Sequence, residues 1–194
     1  MNISRYELLN KIPPREVKTL RVLYTGLAGI VILMSAVFLY FYDIRSTDTV
    51  AQPDDQLNSP ILLISLLVIA ALEYSLIYFI PKLQLSPDKL KARLSTVMQN
   101  QQGEHMAEHV FVLFQIYRTI MILRLAMLDS VAFLGLFILF YSVLNKMIYF
   151  YPIYWIALIP SVILFFFVYI YFPTKEKIVF YIEKNMLEKL RNIA

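Results

Sequence analysis

The chain has 194 residues, 59% of them hydrophobic and 16% charged, and carries no cysteine. Soluble domains run nearer to roughly 45–50% apolar and about 25% charged, so an ordinary soluble domain is excluded, as are disulfides, thiolate metal sites and a catalytic thiol. The net charge of +4 does not point to nucleic acid, because the basic residues gather beside apolar runs, where anionic lipid headgroups attract them at about 1 kcal/mol each.

Residues Ser4 to Ile12 read as a short amphipathic helix, with Tyr6, Leu8, Leu9 and Ile12 apolar and Ser4 and Glu7 at capping-box spacing. Pro13 and Pro14 end it, since each proline lacks an amide donor and restricts the residue before it. The first apolar run, 22–42, begins too late and runs too long for a cleaved signal peptide. Gly26 and Gly29, with Ala28, Ser35 and Ala36, give it a small-residue stripe expected to pack closely against another helix. Phe38, Tyr40, Phe41 and Tyr42 at its far end read as an interfacial aromatic belt. Segment 43–60 is an acidic loop containing Asp43, Asp48, Asp54 and Asp55.

The second run, 61–80, is expected to stop at Pro81. Ser86 and Pro87 then open a basic amphipathic helix, with Leu90, Leu94 and Met98 on one side and Lys89, Lys91 and Arg93 around the other, broken at 99–103. From Glu104 no strong breaker occurs before Pro152, which predicts one helix of roughly 40 residues whose second half, 125–144, is the third run. A tight turn, 145–152, leads to the fourth run, 153–172, where Pro160 is read as a kink that a membrane helix tolerates. Thr174 caps a last amphipathic helix with Ile178, Tyr181, Ile182, Leu187 and Leu190 apolar.

Each run reaches the ~20 residues that cross a hydrocarbon core as a helix. The fold class is therefore all-α: a four-transmembrane-helix bundle with amphipathic surface helices, forming a single integral membrane domain over 1–194. Pro60 and Pro81 bracket the second run at the same separation as Pro152 and Pro173 bracket the fourth, the pattern of a duplicated helical hairpin. Leaving aside Arg124 at the edge of a run, fifteen of the eighteen Lys and Arg fall in 1–21, 81–124 and 173–194, five in each. The connections 43–60 and 145–152 hold only Arg45 and Lys146. Short basic loops stay cytoplasmic, so those three segments, and both termini, are expected on the cytoplasmic side.

Ionisable groups inside a span are costly and direct attention to function. Glu73 lies about 12 Å into the second run from Pro81, and Asp129 about 7–8 Å beyond Arg124, at similar depth. Arg118 and Asp129, eleven residues apart, fall within about 20° of one another on a helix. Together Glu73, Arg118, Arg124 and Asp129 read as a proton or ion relay or a headgroup or substrate site. The plainer alternative is a structural ion pair between helices, with an arginine stem snorkelling.

A second constellation is Glu104-His105-Met106-Ala107-Glu108-His109. His105 and His109 share a helix face, and His-x-x-Glu-His is the inverted zincin pattern, in which Glu108 would activate water on zinc or iron held by the two histidines. A third ligand would have to come from Glu176, Glu183 or Glu188. The plainer alternative is an exposed helix face of mixed polar residues.

The stretch from Ile116 through Tyr117-Arg118-Thr119 to Arg124-Leu125-Ala126-Met127-Leu128-Asp129, with Phe172-Pro173-Thr174-Lys175-Glu176-Lys177-Ile178, resembles a group of small, largely uncharacterised four-span bacterial inner-membrane proteins. Asp129 stands where that group more often has glutamate, and Ser130 where it has glycine. The resemblance covers about a tenth of the chain and implies a four-span topology in the bacterial inner membrane, with no activity attached.

No nucleophile–base pair or phosphate loop accompanies these features, so a catalytic role is not the expectation. The leading expectation is an accessory or scaffold protein that meets the bilayer, its anionic inner-leaflet headgroups, and either a second copy or another membrane protein. A proton- or ion-coupled transporter subunit using Glu73, Asp129 and Arg124 comes second, and a metal-binding protein using His105 and His109 third.

Overall fold

The computed structural model describes residues 5–46, 58–86, 88–92, 95 and 105–191. Ser4, Asp48, Asp54, Asp55, Arg93, Leu94, Met98, Gly103 and Glu104 lie outside these, as do the side chains of His105, Glu108 and Leu190. Every regular element among the described residues is helical. α1 is Arg5–Lys11, α2 Pro14–Ser46, α3 Asn58–Gln84, α4 His105–Leu144 and α5 Met147–Phe150. A 3-10 segment, Pro152–Leu158, runs into α6, Ile159–Ile170, and α7 is Lys175–Ile182. A π-helical turn, Glu183–Leu187, and α8, Glu188–Arg191, close the order.

Among the described residues, four stretches are long and apolar enough to cross a membrane: Pro14–Arg45, Pro60–Gln84, His109–Leu144 and Pro152–Ile170. The expected long third helix is present as α4, 40 residues without interruption. At 1.5 Å per residue it measures about 60 Å, twice the roughly 30 Å of a hydrocarbon core. It ends where Lys146 adopts a left-handed conformation, φ 59°, and the Lys146 amide donates to Val143 O at 3.0 Å.

One expectation about proline needs correction, and a second gains detail. α3 does not stop at Pro81 but continues to Gln84. In the last turn a proline forfeits only one backbone bond, the Leu85 amide donates to Pro81 O at 2.8 Å, and Lys82 lies 4.1 Å from the centre of the Tyr78 ring one turn back. At Pro160 the fourth span is not one uniform α-helix: a change from 3-10 to α stands just before it. Pro160 has no N–H for the Ile156 carbonyl, and the Ile159 amide takes that carbonyl in a tighter bond. Seven 3-10 residues and twelve α residues then reach about 32 Å, enough to cross.

The chain resolves into two compact units. The first joins Met1–Leu23, Ile77–Arg124 and Tyr171–Ala194; the second joins Tyr24–Leu76 and Leu125–Ile170. Three of the divisions fall within α2, α3 and α4, and the fourth at the end of α6, between Ile170 and Tyr171.

The first unit has its own apolar core. Leu8 and Ile12 of α1, Val17 and Leu20 of α2, Leu85, Leu90, Leu113 and Phe114 of α4, and Ile178, Ile182 and Met186 from the end of the chain form one buried cluster. Leu90 is buried and Lys89 and Lys91 exposed, so residues 88–92 turn one apolar and one basic side.

In the second unit α4 is the central helix and α3 the peripheral one. Of the apolar window 44% is buried for the stretch containing α4 and 17% for the one containing α3, which leaves Ile61, Ile64, Leu67, Val68 and Leu72 outward. Surfaces like these are stable only against lipid or another apolar partner. The aromatic residues ending α2 are not one uniform belt. Tyr40 is exposed, but Phe38 is fully buried, edge-on to Phe140 and Trp155 with ring centres 5.9 and 5.6 Å away. Tyr42 stacks on Tyr149 at 5.1 Å, and the Tyr149 hydroxyl donates to Tyr42 O at 2.8 Å.

Candidate functional site

Charge separates between the units. The first contains sixteen Lys and Arg against eight Asp and Glu, formally +8; the second contains two against six, formally −4. Three stretches far apart in sequence therefore contribute their basic residues to a single folded unit.

Several contacts fix this unit's polar surface. Arg118 of α4 forms an ion pair with Glu16 of α2, Nη1 to Oε2 at 2.5 Å. The Arg21 Nε donates to the Pro173 carbonyl at 2.8 Å, and Lys189 Nζ donates to Leu85 O at 3.4 Å. Thr174 caps α7 as its sequence suggested, its hydroxyl oxygen accepting from the Lys177 amide at 3.3 Å. Beside this cap lies a cleft of about 430 Å³ lined by Pro14, Val17, Lys18, Arg21, Lys175 and Glu176. The backbone amide and Thr174 hydroxyl at the start of α7, then the Arg21 and Lys175 cations, hold the Glu176 carboxyl below the usual carboxylate range. Elsewhere in the unit, burial pushes the Tyr181 phenol up, against the pull of the Arg124 guanidinium, and its ring meets Tyr117 edge-on at 5.2 Å.

The four residues that the sequence groups as an intramembrane cluster distribute between the units, Arg118 and Arg124 in the first and Glu73 and Asp129 in the second. Arg118 takes Glu16 as its partner. Glu73 accepts from the Ser130 hydroxyl at 2.5 Å, tying α3 to α4, and the same hydroxyl lies 2.9 Å from Met127 O. A hydroxyl has one hydrogen to divide between those two acceptors. Asp129 Oδ1 and Arg124 Nε are buried without a hydrogen-bond partner among the described residues.

Of the His-x-x-Glu-His string, only the His109 side chain is described. It is not on an exposed face: it is 7% exposed, beside the core residue Val110, and its Nε2 has no hydrogen-bond partner among the described residues. No group of three or more His, Cys, Asp or Glu side chains among the described residues is placed to hold a metal ion.

The close approach expected at Gly26 and Gly29 is not made among the described residues. Both are exposed, and among the described residues nothing lies within 4 Å of where a Cβ would stand. Among the described glycines, the one that packs tightly is Gly135, against the backbone of Ala157 in the 3-10 segment. Between α2 and the fourth span runs an apolar groove of about 380 Å³, lined by Ala28, Val31, Ser35, Ala36, Leu158 and Ser161 among others.

Glu16, Ser130 and the grouping of Lys18, Arg21 and Lys175 are the residues that sequence reasoning missed. For the cleft a signal existed: Lys18 and Arg21 share a helix face at i, i+3, and Lys175 follows a helix cap. The chain matches no family model, no curated protein and no solved structure. Its likeness to four-span bacterial proteins therefore rests on the short stretches quoted above.

Proposed function

We propose that this chain is an accessory or scaffold protein of the bacterial inner membrane, with both termini cytoplasmic. Its basic helical unit lies at the anionic inner leaflet and engages a second copy or another membrane protein. The supporting observation is the first unit itself: three separated basic stretches that share one apolar core and carry a formal +8. A basic surface of this kind suits a platform at a charged leaflet. Basic juxtamembrane segments are also what hold a chain in this orientation. Native mass spectrometry from mild detergent tests the scaffold role. Dimers or a stoichiometric membrane partner are expected, and a lone monomer with nothing co-purifying would count decisively against it.

The Glu73–Ser130 link beside Asp129 favours one second reading, a proton- or ion-coupled subunit. It predicts that Asp129→Asn abolishes a flux in proteoliposomes while the protein stays folded. Loss of folding with no flux in the parent protein would leave these groups a structural role.

A further inference from the structure

The cleft between α2 and α7 differs from the rest of the basic surface. Pro14, Val17, Lys18 and Arg21 stand at i, i+3, i+4 and i+7, one continuous face of α2, and Lys175 and Glu176 close the other side from the first turn of α7. The Arg21 Nε bond to Pro173 O, 2.8 Å, ties the two walls together. Three cations face one carboxylate, and that carboxylate is engaged by the α7 backbone amide and Thr174, so the lining carries a surplus positive charge of two. Pro14 and Val17 supply an apolar floor. Along the chain, Arg21 immediately precedes the first apolar run and Lys175 comes three residues after the fourth ends, the positions at which a helix leaves hydrocarbon for the headgroup layer.

We propose that this cleft binds the phosphodiester of one anionic phospholipid, with Lys18, Arg21 and Lys175 on the phosphate and Pro14 and Val17 against its glycerol. This deepens the scaffold reading and rests on it only for the leaflet that the basic unit meets. The Arg21 guanidinium, held against Pro173 O, has the planar geometry that suits phosphate oxygens. The two lysines add point charge. The bulk of the basic surface attracts a leaflet diffusely, whereas about 430 Å³ holds one headgroup.

The test uses the full chain in mild detergent, titrated with phosphatidylglycerol, with phosphatidylcholine of the same acyl chains, or with inorganic phosphate. Native mass spectrometry counts retained lipid and a thermal melt reports folding. One phosphatidylglycerol per chain is expected to persist where phosphatidylcholine does not. At roughly fivefold per charge, Lys18→Gln with Lys175→Gln weakens retention about thirtyfold, whereas the exposed pair Lys89→Gln with Lys91→Gln leaves it unchanged. Equal loss in both pairs, or equal retention of phosphatidylcholine, overturns the site. Displacement of the lipid by millimolar inorganic phosphate would assign the cleft to a free anion instead and also overturns it. Should the double variant fail to fold, Lys175→Gln alone and the lipid preference of the parent chain decide. A monomer with no partner that still selects phosphatidylglycerol sinks the scaffold reading and keeps the site.

Discussion

A methyl group built on Gly135 would overlap the Ala157 carbonyl oxygen, lie 3.4 Å from Ala157 C and 3.6 Å from Pro160 Cγ. The obstacle is backbone, in a 3-10 segment whose hydrogen bonding is already set by Pro160, so it cannot swing aside as a side-chain tip would. Overpacking of this kind costs about 1–3 kcal/mol, and rigid backbone argues for the upper end. Exchanging glycine for alanine in a helix returns about 1 kcal/mol. Gly135→Ala should therefore destabilise the second unit by about 2 kcal/mol, roughly thirtyfold in the folded-to-unfolded ratio. Gly26→Ala, where no described residue stands within 4 Å, should be neutral or stabilise by up to about 1 kcal/mol. Unfolding by SDS from mild detergent can be followed through Trp155, the chain's single tryptophan, which lies in the affected segment and packs 5.2 Å from the Tyr42 ring. A Gly135→Ala protein as stable as its parent would refute the reasoning. A Gly26→Ala protein that loses as much would show that its open face is covered in the assembly.

Three further outcomes follow from the first unit. Thr174→Ala removes the α7 cap and should lower stability by about 1 kcal/mol in a thermal melt; no change would mean the cap is not engaged in solution. A double-mutant cycle over Glu16 and Arg118, side chains about 30% exposed, should give a coupling of at most about 1 kcal/mol that shrinks with salt; a large, salt-insensitive coupling contradicts it. Tyr181 has a raised pKa because its buried phenol resists ionisation, so its contribution is complete below the unfolded tyrosine value, about 10, and is lost as pH rises through the folded value. Tyr181→Phe should flatten the alkaline loss of stability, and an unchanged alkaline slope would exclude Tyr181 as its source.

Much of the helical layout was legible because it follows from local pattern. Apolar runs of about 20 residues identify spans directly, the absence of breakers between Glu104 and Pro152 anticipated the 40-residue α4, and Thr174 announced its helix. Pro81 was misread for a physical reason. What a proline does depends on which carbonyl loses a donor and what replaces it, so Pro81 disappears into a helix end and Pro160 stands at a change of helix type. Phe38 illustrates the same limit: an aromatic at a span end serves equally as interface anchor or core, and only Phe140 and Trp155 from distant segments made it core.

The polar partners were less legible. Depth in the membrane grouped Arg118 with the intramembrane acids, yet Arg118 meets Glu16, 102 positions away in the chain, and Glu73 meets Ser130, 57 positions away. Helical periodicity relates only residues a few turns apart, so it cannot pair charges across elements.

Composition and hydropathy alone determined that this is an all-helical chain with four membrane-length apolar stretches, because helix length and backbone self-satisfaction in lipid are local constraints. Tertiary structure decided that the three basic stretches share one core, that Gly135 rather than Gly26 makes the close approach, and that Lys18, Arg21 and Lys175 line one cleft. Each of those depends on which distant surfaces bury one another, a property of the folded whole that no local window contains.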